Sequence, residues 1–221
     1  QGIFDQPLDG YMGPGNCIWS QQFYETDRSR DFVRGFTYEI TRGRGPVATA
    51  LTGMFSGRIP WGEEHHQRYR ELFNRITGMV AICEDLPEPH NTVTLDPELK
   101  DSDGIPAPRI TYKLSDNSRR MLDYAVDRGT EILETAGATD VMTEAPISVG
   151  GWHLMGTTRM GVDPEHSVVN EWGRSHDVRN LFVVDGSIFV TSAGVNPTRT
   201  IQALSLYIGD TIKKRLTTLF D

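Results

Sequence analysis

The sequence predicts a mixed α/β (α+β) chain in two domains, an antiparallel sheet with helices on one side followed by the edge of an open α/β domain. Three features lead there. Strand-like and helix-like stretches alternate up to Gly137 without a βαβ rhythm. Two segments, 63–77 and 115–134, space their apolar residues as helices do. Finally, the nearly uniform apolar run Leu181-Phe182-Val183-Val184 ends in Asp185 and leads through a small-residue loop into a strong helix start.

In chain order, residues 1–58 are rich in Gly and aromatics, and Phe36 to Ile40 and similar short stretches read as strands joined by turns. Between Glu63 and Thr77, Tyr69, Leu72, Phe73 and Ile76 form one apolar helical stripe. Gly78 is expected to end that helix, and Met79 to Cys83 to form a buried strand. Asn91 to Leu95 and Arg109 to Tyr112 read as strands around a polar turn, Lys100 to Gly104. Ser115 or Asp116 can cap a long helix reaching about Glu134, with Met121, Leu122, Ala125, Ile132 and Leu133 inward and Ala136-Gly137 as its stop.

Leu181 to Asp185 is expected to be a strand covered on both faces. Gly186 to Val195 forms a loop, and Asn196 as N-cap with Pro197 at the first helical position opens a helix to about Leu216. The join between domains falls near residues 150–160, giving residues 1–155 and 156–221.

Composition narrows the function. The 221 residues are 38% hydrophobic and 24% charged, which suits a globular chain and not a disordered one. A net charge of -8 with no dense basic run argues against nucleic acid or anionic lipid as partner. No apolar run is long enough to span a bilayer. Gln1 to Asp5 carry neither a charged leader nor an apolar h-region, and no initiating Met precedes them, as in a processed, excised or partial chain. Cys17 and Cys83 cannot make a disulfide framework or a cysteine zinc site; they fit a reducing compartment, with one bridge also open. Pro197 disqualifies Asn196-Pro197-Thr198 as a glycosylation acceptor, and localisation stays open between cytoplasm and periplasm.

Two clusters can support chemistry. The first is Gly150-Gly151-Trp152-His153-Leu154-Met155-Gly156-Thr157-Thr158-Arg159-Met160-Gly161. Its glycines permit close backbone approach, and His153 is the side chain best suited to take a proton near neutral pH; a structural histidine bonded to a carbonyl is the plain alternative. The second joins Asp185-Gly186-Ser187 to Asn196-Pro197-Thr198. There a helix N-terminus offers N–H groups and partial positive charge to an anion or an electron-rich ring. Singly, Asn196 is an N-cap and Asp185 a turn former.

In order and spacing, three blocks resemble the C-terminal signature of the glucose–methanol–choline (GMC) flavoprotein oxidoreductases: 152–161, Asn180 to Phe189, and Asn196 to Leu204. Asn91 to Leu95 and Asp101 to Pro106 are similar to the family's substrate-domain strand and turn. The resemblance implies an FAD-dependent alcohol or sugar dehydrogenase or oxidase, with residues 1–155 as an antiparallel-sheet substrate domain and 156–221 as the last strand and helix of a Rossmann-like FAD domain. It implies that His153 takes the hydroxyl proton as hydride passes to flavin N5, with Asn196 bonding the substrate oxygen. It also implies that Asp185, Gly186, Pro197 and Thr198 contact the cofactor.

The family's N-terminal dinucleotide fingerprint is not found. Gly43-Arg44-Gly45-Pro46-Val47-Ala48 imitates it, but Pro46 removes an N–H from the phosphate cradle and no βαβ unit is expected to follow. The chain therefore looks like the C-terminal portion of a flavoenzyme whose other half, in the same gene or a separate chain, binds the pyrophosphate. A hydroxynitrile-lyase-type flavoprotein and a non-catalytic ligand-binding subunit are the alternatives. The adjacent His65 and His66 point about 100° apart on a helix, so no shared metal is expected. Asp101-Ser102-Asp103-Gly104 reads as a plain turn, and Lys213-Lys214-Arg215 as the last turn of the final helix.

Overall fold

The computed structural model describes residues 1–14, 18–147 and 150–218, so Cys17 lies outside the described residues. In chain order the strands are β1 (Gly2–Ile3), β2 (Ile18–Ser20), β3 (Phe36–Thr41), β4 (Ile76–Cys83), β5 (Thr92–Lys100), β6 (Pro106–Thr111) and β7 (Asp140–Val141). The helices are α1 (Pro46–Phe55), α2 (His65–Leu72), α3 (Asp116–Thr135) and α4 (Thr198–Lys214). The chain divides into two compact units, Gln1–Cys83 with Arg120–Ser148, and Glu84–Arg119 with Val149–Asp221.

The first unit holds a five-stranded sheet of order β2-β3-β4-β1-β7, antiparallel at every pairing as expected. In β3, Phe36 and Tyr38 point to one face and meet Met121 and Ala125 of α3, with Phe32 completing a buried cluster. The Tyr38 hydroxyl, brought into this core, donates to the Ala125 carbonyl and is thereby paired. Phe23 stacks on Phe36 at 5.3 Å and meets Tyr38 edge-on at 6.0 Å. Because β3 and the strands beside it run antiparallel, the glycine-rich stretch after β3 opens no βαβ unit.

Three local expectations change. The first 58 residues contain a helix, α1, begun by Gly45 at the N-cap and Pro46 at N1. Its inward residues are Thr49 and Gly53, whereas Val47, Leu51 and Phe55 lie outward. A Cβ on Gly53 would fall 2.3 Å from the Ile59 side chain, so the buried face is chosen for small size, and apolar periodicity misses it. α2 ends at Leu72 rather than near Thr77, because Asn74 turns left-handed (φ 63) and releases the chain into β4 at Ile76.

The third change concerns Leu181 to Asp185, where no two-sided strand forms. Phe182 bridges Arg174, and Val183 N–H donates to the Gly173 carbonyl, pairing the run along one edge. Leu181 and Val184 remain exposed.

The second unit contains the β5–β6 hairpin, antiparallel from Thr92↔Thr111 to Leu95↔Pro108. The Asp101 carboxylate accepts N–H bonds from Asp103 and Ile105, which makes the intervening segment a plain turn. Its core is small and aliphatic: Val169, Ile188 and Ile208 are buried, with Met160, Val183, Phe189, Leu204 and Ile212 against them. α4 ends as anticipated, with Lys214 paired to Asp210 at 2.5 Å and Arg215 over the Trp172 ring at 4.6 Å. Among the described residues, no helix is long and apolar enough to cross a membrane.

Candidate functional site

All three motif blocks lie in the second unit, and backbone bonds join the first two. N–H groups of Gly156, Thr158 and Met160 donate in turn to the carbonyls of Gly186, Ser187 and Ile188, at 3.2, 2.9 and 2.8 Å. The Thr158 and Ser187 hydroxyls bond at 2.5 Å beside the middle rung. Gly156 makes this approach possible: its φ is +86, and a Cβ there would stand 3.0 Å from the Phe189 carbonyl.

Gly186 lies where the three blocks meet. A Cβ on it would be 3.1 Å from Ile201 of α4 and 3.4 Å from Met155, two residues beyond His153. The Ser205 hydroxyl of α4 donates to the carbonyls of Val184 and Ile201, fastening the helix to the run before Asp185. Gly186–Ile188 is one 3-10 turn, capped by Asp185, whose carboxylate accepts the Ser187 N–H at 2.7 Å. Side-chain and backbone bonds from Ser187 hold the Asp185 carboxyl below its ordinary range, so it stays ionised at neutral pH.

His153 is half-buried between Trp152 and Leu154, whose side chains are 81% and 80% exposed. Asn196 is exposed and stands one residue earlier, relative to the helix, than the sequence suggested. Pro197 takes the cap position with nearly helical angles (φ -89, ψ -13), and its carbonyl accepts the first helical bond from Ile201 at 3.0 Å. Thr198 is then the first residue of α4, with no acid in the first turn and no side-chain cap from Pro197. That end keeps its partial positive charge uncompensated by a local carboxylate.

Sequence reading missed one polar centre, Asp85. Its carboxylate accepts the Tyr112 hydroxyl at 2.6 Å and the Ser118 hydroxyl, and its main-chain carbonyl accepts the Ser192 hydroxyl at 3.1 Å. Desolvation, and then the bond to Asp85, push the Tyr112 phenol above its ordinary range, so it donates at neutral pH. Nothing in the sequence distinguishes Asp85 from other acids, because its partners lie 27, 33 and 107 residues away. His65 and His66 sit edge to face at 5.5 Å, with His65 Nδ1 on the Pro60 carbonyl, and no cluster of metal-ligating residues occurs among the described residues.

Residues 87–205 match the family model for GMC oxidoreductases. The chain belongs to the GMC oxidoreductase family. Among its GMC relatives, 2-methyl-1,2-propanediol dehydrogenase of Mycolicibacterium austroafricanum is 42% identical over 97% of this chain and 39% of its own length. The fructose dehydrogenase large subunit of Gluconobacter japonicus is 39% identical over 68% of this chain and 28% of its own length. The gluconate 2-dehydrogenase flavoprotein of Pantoea cypripedii is 30% identical over 83% of this chain and 31% of its own length. The GMC chain described here thus spans about two fifths or less of the length of these relatives.

Proposed function

We propose that this chain is the C-terminal part of an FAD-dependent GMC enzyme that oxidises a CH–OH group of an alcohol or sugar. The observation that supports this most is the convergence on Gly186 of the segments bearing His153, Asp185 and Asn196. FAD, when bound, supplies the hydride acceptor at N5. The imidazole of His153 takes the substrate hydroxyl proton, and the carboxamide of Asn196 donates to the same oxygen. A base and a neutral donor together stabilise growing alkoxide charge better than either alone.

The residues present fit such a cofactor. The turn pairs an exposed Asp185 with a half-buried Gly186, and Pro197 and Thr198 start a helix whose first turn has no acid, which suits an electron-rich ring edge. In this reading residues 1–155 serve substrate binding, and 156–221 complete an FAD domain whose pyrophosphate-binding half lies in the same gene or a separate chain.

The test is anaerobic flavin reduction by alcohols and sugars in the full-length protein. His153→Ala should slow it by about 10²–10⁴-fold, the usual worth of a general base. An unchanged single-turnover rate would remove His153 from the mechanism. A flavin that no alcohol or sugar bleaches would favour the lyase reading, and full-length protein without a flavin spectrum would favour a ligand-binding subunit.

A further inference from the structure

Asn196 stands at the end of an irregular stretch, 189–197, between the Asp185 turn and α4. A carboxamide that must meet one substrate oxygen needs that stretch fixed, and Ser192 ties it to a distant segment. The Ser192 hydroxyl donates at 3.1 Å to the main-chain carbonyl of Asp85. Four residues reach at most about 14 Å, so the short tether from Ser192 passes a displacement on to Asn196.

The anchor is itself braced. Both carboxylate oxygens of Asp85 are used: Oδ2 accepts the Tyr112 hydroxyl just beyond β6, and Oδ1 the hydroxyl of the buried Ser118. Ser118 N–H in turn donates to Ser115 Oγ at 3.1 Å, the N-cap bond of α3. Each carboxylate oxygen accepts one hydroxyl, and these two bonds hold the Asp85 backbone and aim its carbonyl. A hairpin end and a helix start thus converge through one acid on the loop of the second motif.

We infer that Asp85 is a positioning residue, acting through Ser192 to set Asn196 against the substrate oxygen; this rests on the function proposed above. A misplacement of about 1 Å costs up to 10²-fold in rate, and loss of one hydrogen-bonded tether costs part of that.

The experiment is a double-mutant cycle on anaerobic flavin reduction in the flavin-loaded full-length protein. Asp85→Asn, which turns one acceptor oxygen into a donor, and Ser192→Ala should each slow reduction about tenfold, while Ser192→Thr should restore the rate. In an Asn196→Ala background both losses should vanish, because the group they position is gone. Tyr112→Phe alters an exposed ring, should fold, and should show a smaller loss of about threefold with the same dependence on Asn196. It decides the matter should Asp85→Asn or Ser192→Ala fail to fold. Wild-type rates in these variants, or losses that multiply with that of Asn196→Ala, would overturn the positioning role and leave the proposed function standing. If Asn196→Ala alone reduces its flavin at the normal rate, the assignment of Asn196 in the proposed function fails, and this inference with it.

Discussion

The two units of this GMC chain are held together by different physics. In the first, large aromatic and aliphatic side chains close over a five-stranded sheet: Phe32, Phe36, Tyr38 and Met121 are almost fully buried. In the second, Val169, Ile188 and Ile208 form the buried cluster among the described residues, and backbone rungs between 156–160 and 186–188 and polar anchors at Asp85 and Asp185 add order. Burial is non-directional and scales with area, so it makes a stable platform. Hydrogen bonds are directional and fix loops at set distances, which a reacting site requires. The second unit leaves Trp152, Leu154 and Leu206 exposed at 75–81%. Large exposed apolar side chains occur in the first unit as well, Phe55 and Trp61 among them.

That contrast can be broken by crossed substitutions. Phe36→Ala in the aromatic core should cost about 3–5 kcal/mol in chemical denaturation and leave the flavin reduction rate of the folded full-length protein unchanged. A slowed rate there would couple the platform to the chemistry and erase the division. In the second unit, Gly173 has φ +69, and a Cβ would stand 2.3 Å from the Val183 carbonyl. Gly173→Ala should cost roughly 1–3 kcal/mol and also lower the reduction rate, since Gly173 pairs with the run leading to Asp185. Wild-type stability in that variant would mean the pairing is not tight.

Thr158→Val probes the rungs more gently. It removes the hydroxyl pair with Ser187 and should cost about 1 kcal/mol, with flavin reduction more affected than the denaturation midpoint. Equal or reversed sensitivity would argue that the rung is structural only.

The smallest effect is a pH dependence. Asp185 has its carboxyl held below the ordinary value of 3.8, first by the side-chain bond and then by the backbone bond from Ser187. Its folded form therefore prefers the ionised state. The stabilisation is complete above that ordinary value and fades as pH falls through the lower folded value. Asp185→Asn should flatten the acid limb of the stability curve slightly, since the group is mostly exposed. An acid limb identical to wild type would assign that sensitivity to other carboxylates.

Much of the fold was legible locally. The α3 start at Ser115 follows from a hydroxyl that caps its own helix, and the Asp101 turn from a carboxylate that bonds N–H groups two and four residues on. The antiparallel sheet followed from alternating elements without βαβ spacing. The helix α1 escaped notice because Gly53 and Thr49, not apolar residues, form its inner face. Leu181 to Val184 read as a two-sided strand because its composition resembles one, yet a strand is defined by its neighbours, and here the pairing runs along the 173–175 segment.

The candidate site divides in the same way. The sequence alone determined the three motif blocks, the imidazole of His153, the carboxamide of Asn196 and the turn Asp185-Gly186, because residue chemistry and short spacings are written along the chain. Tertiary structure alone decided that Met155, Gly186 and Ile201 converge, that α4 begins at Thr198, and that Asp85 holds the loop before Asn196. Those depend on groups up to 107 residues apart, where no local propensity acts and only the folded backbone sets the distance.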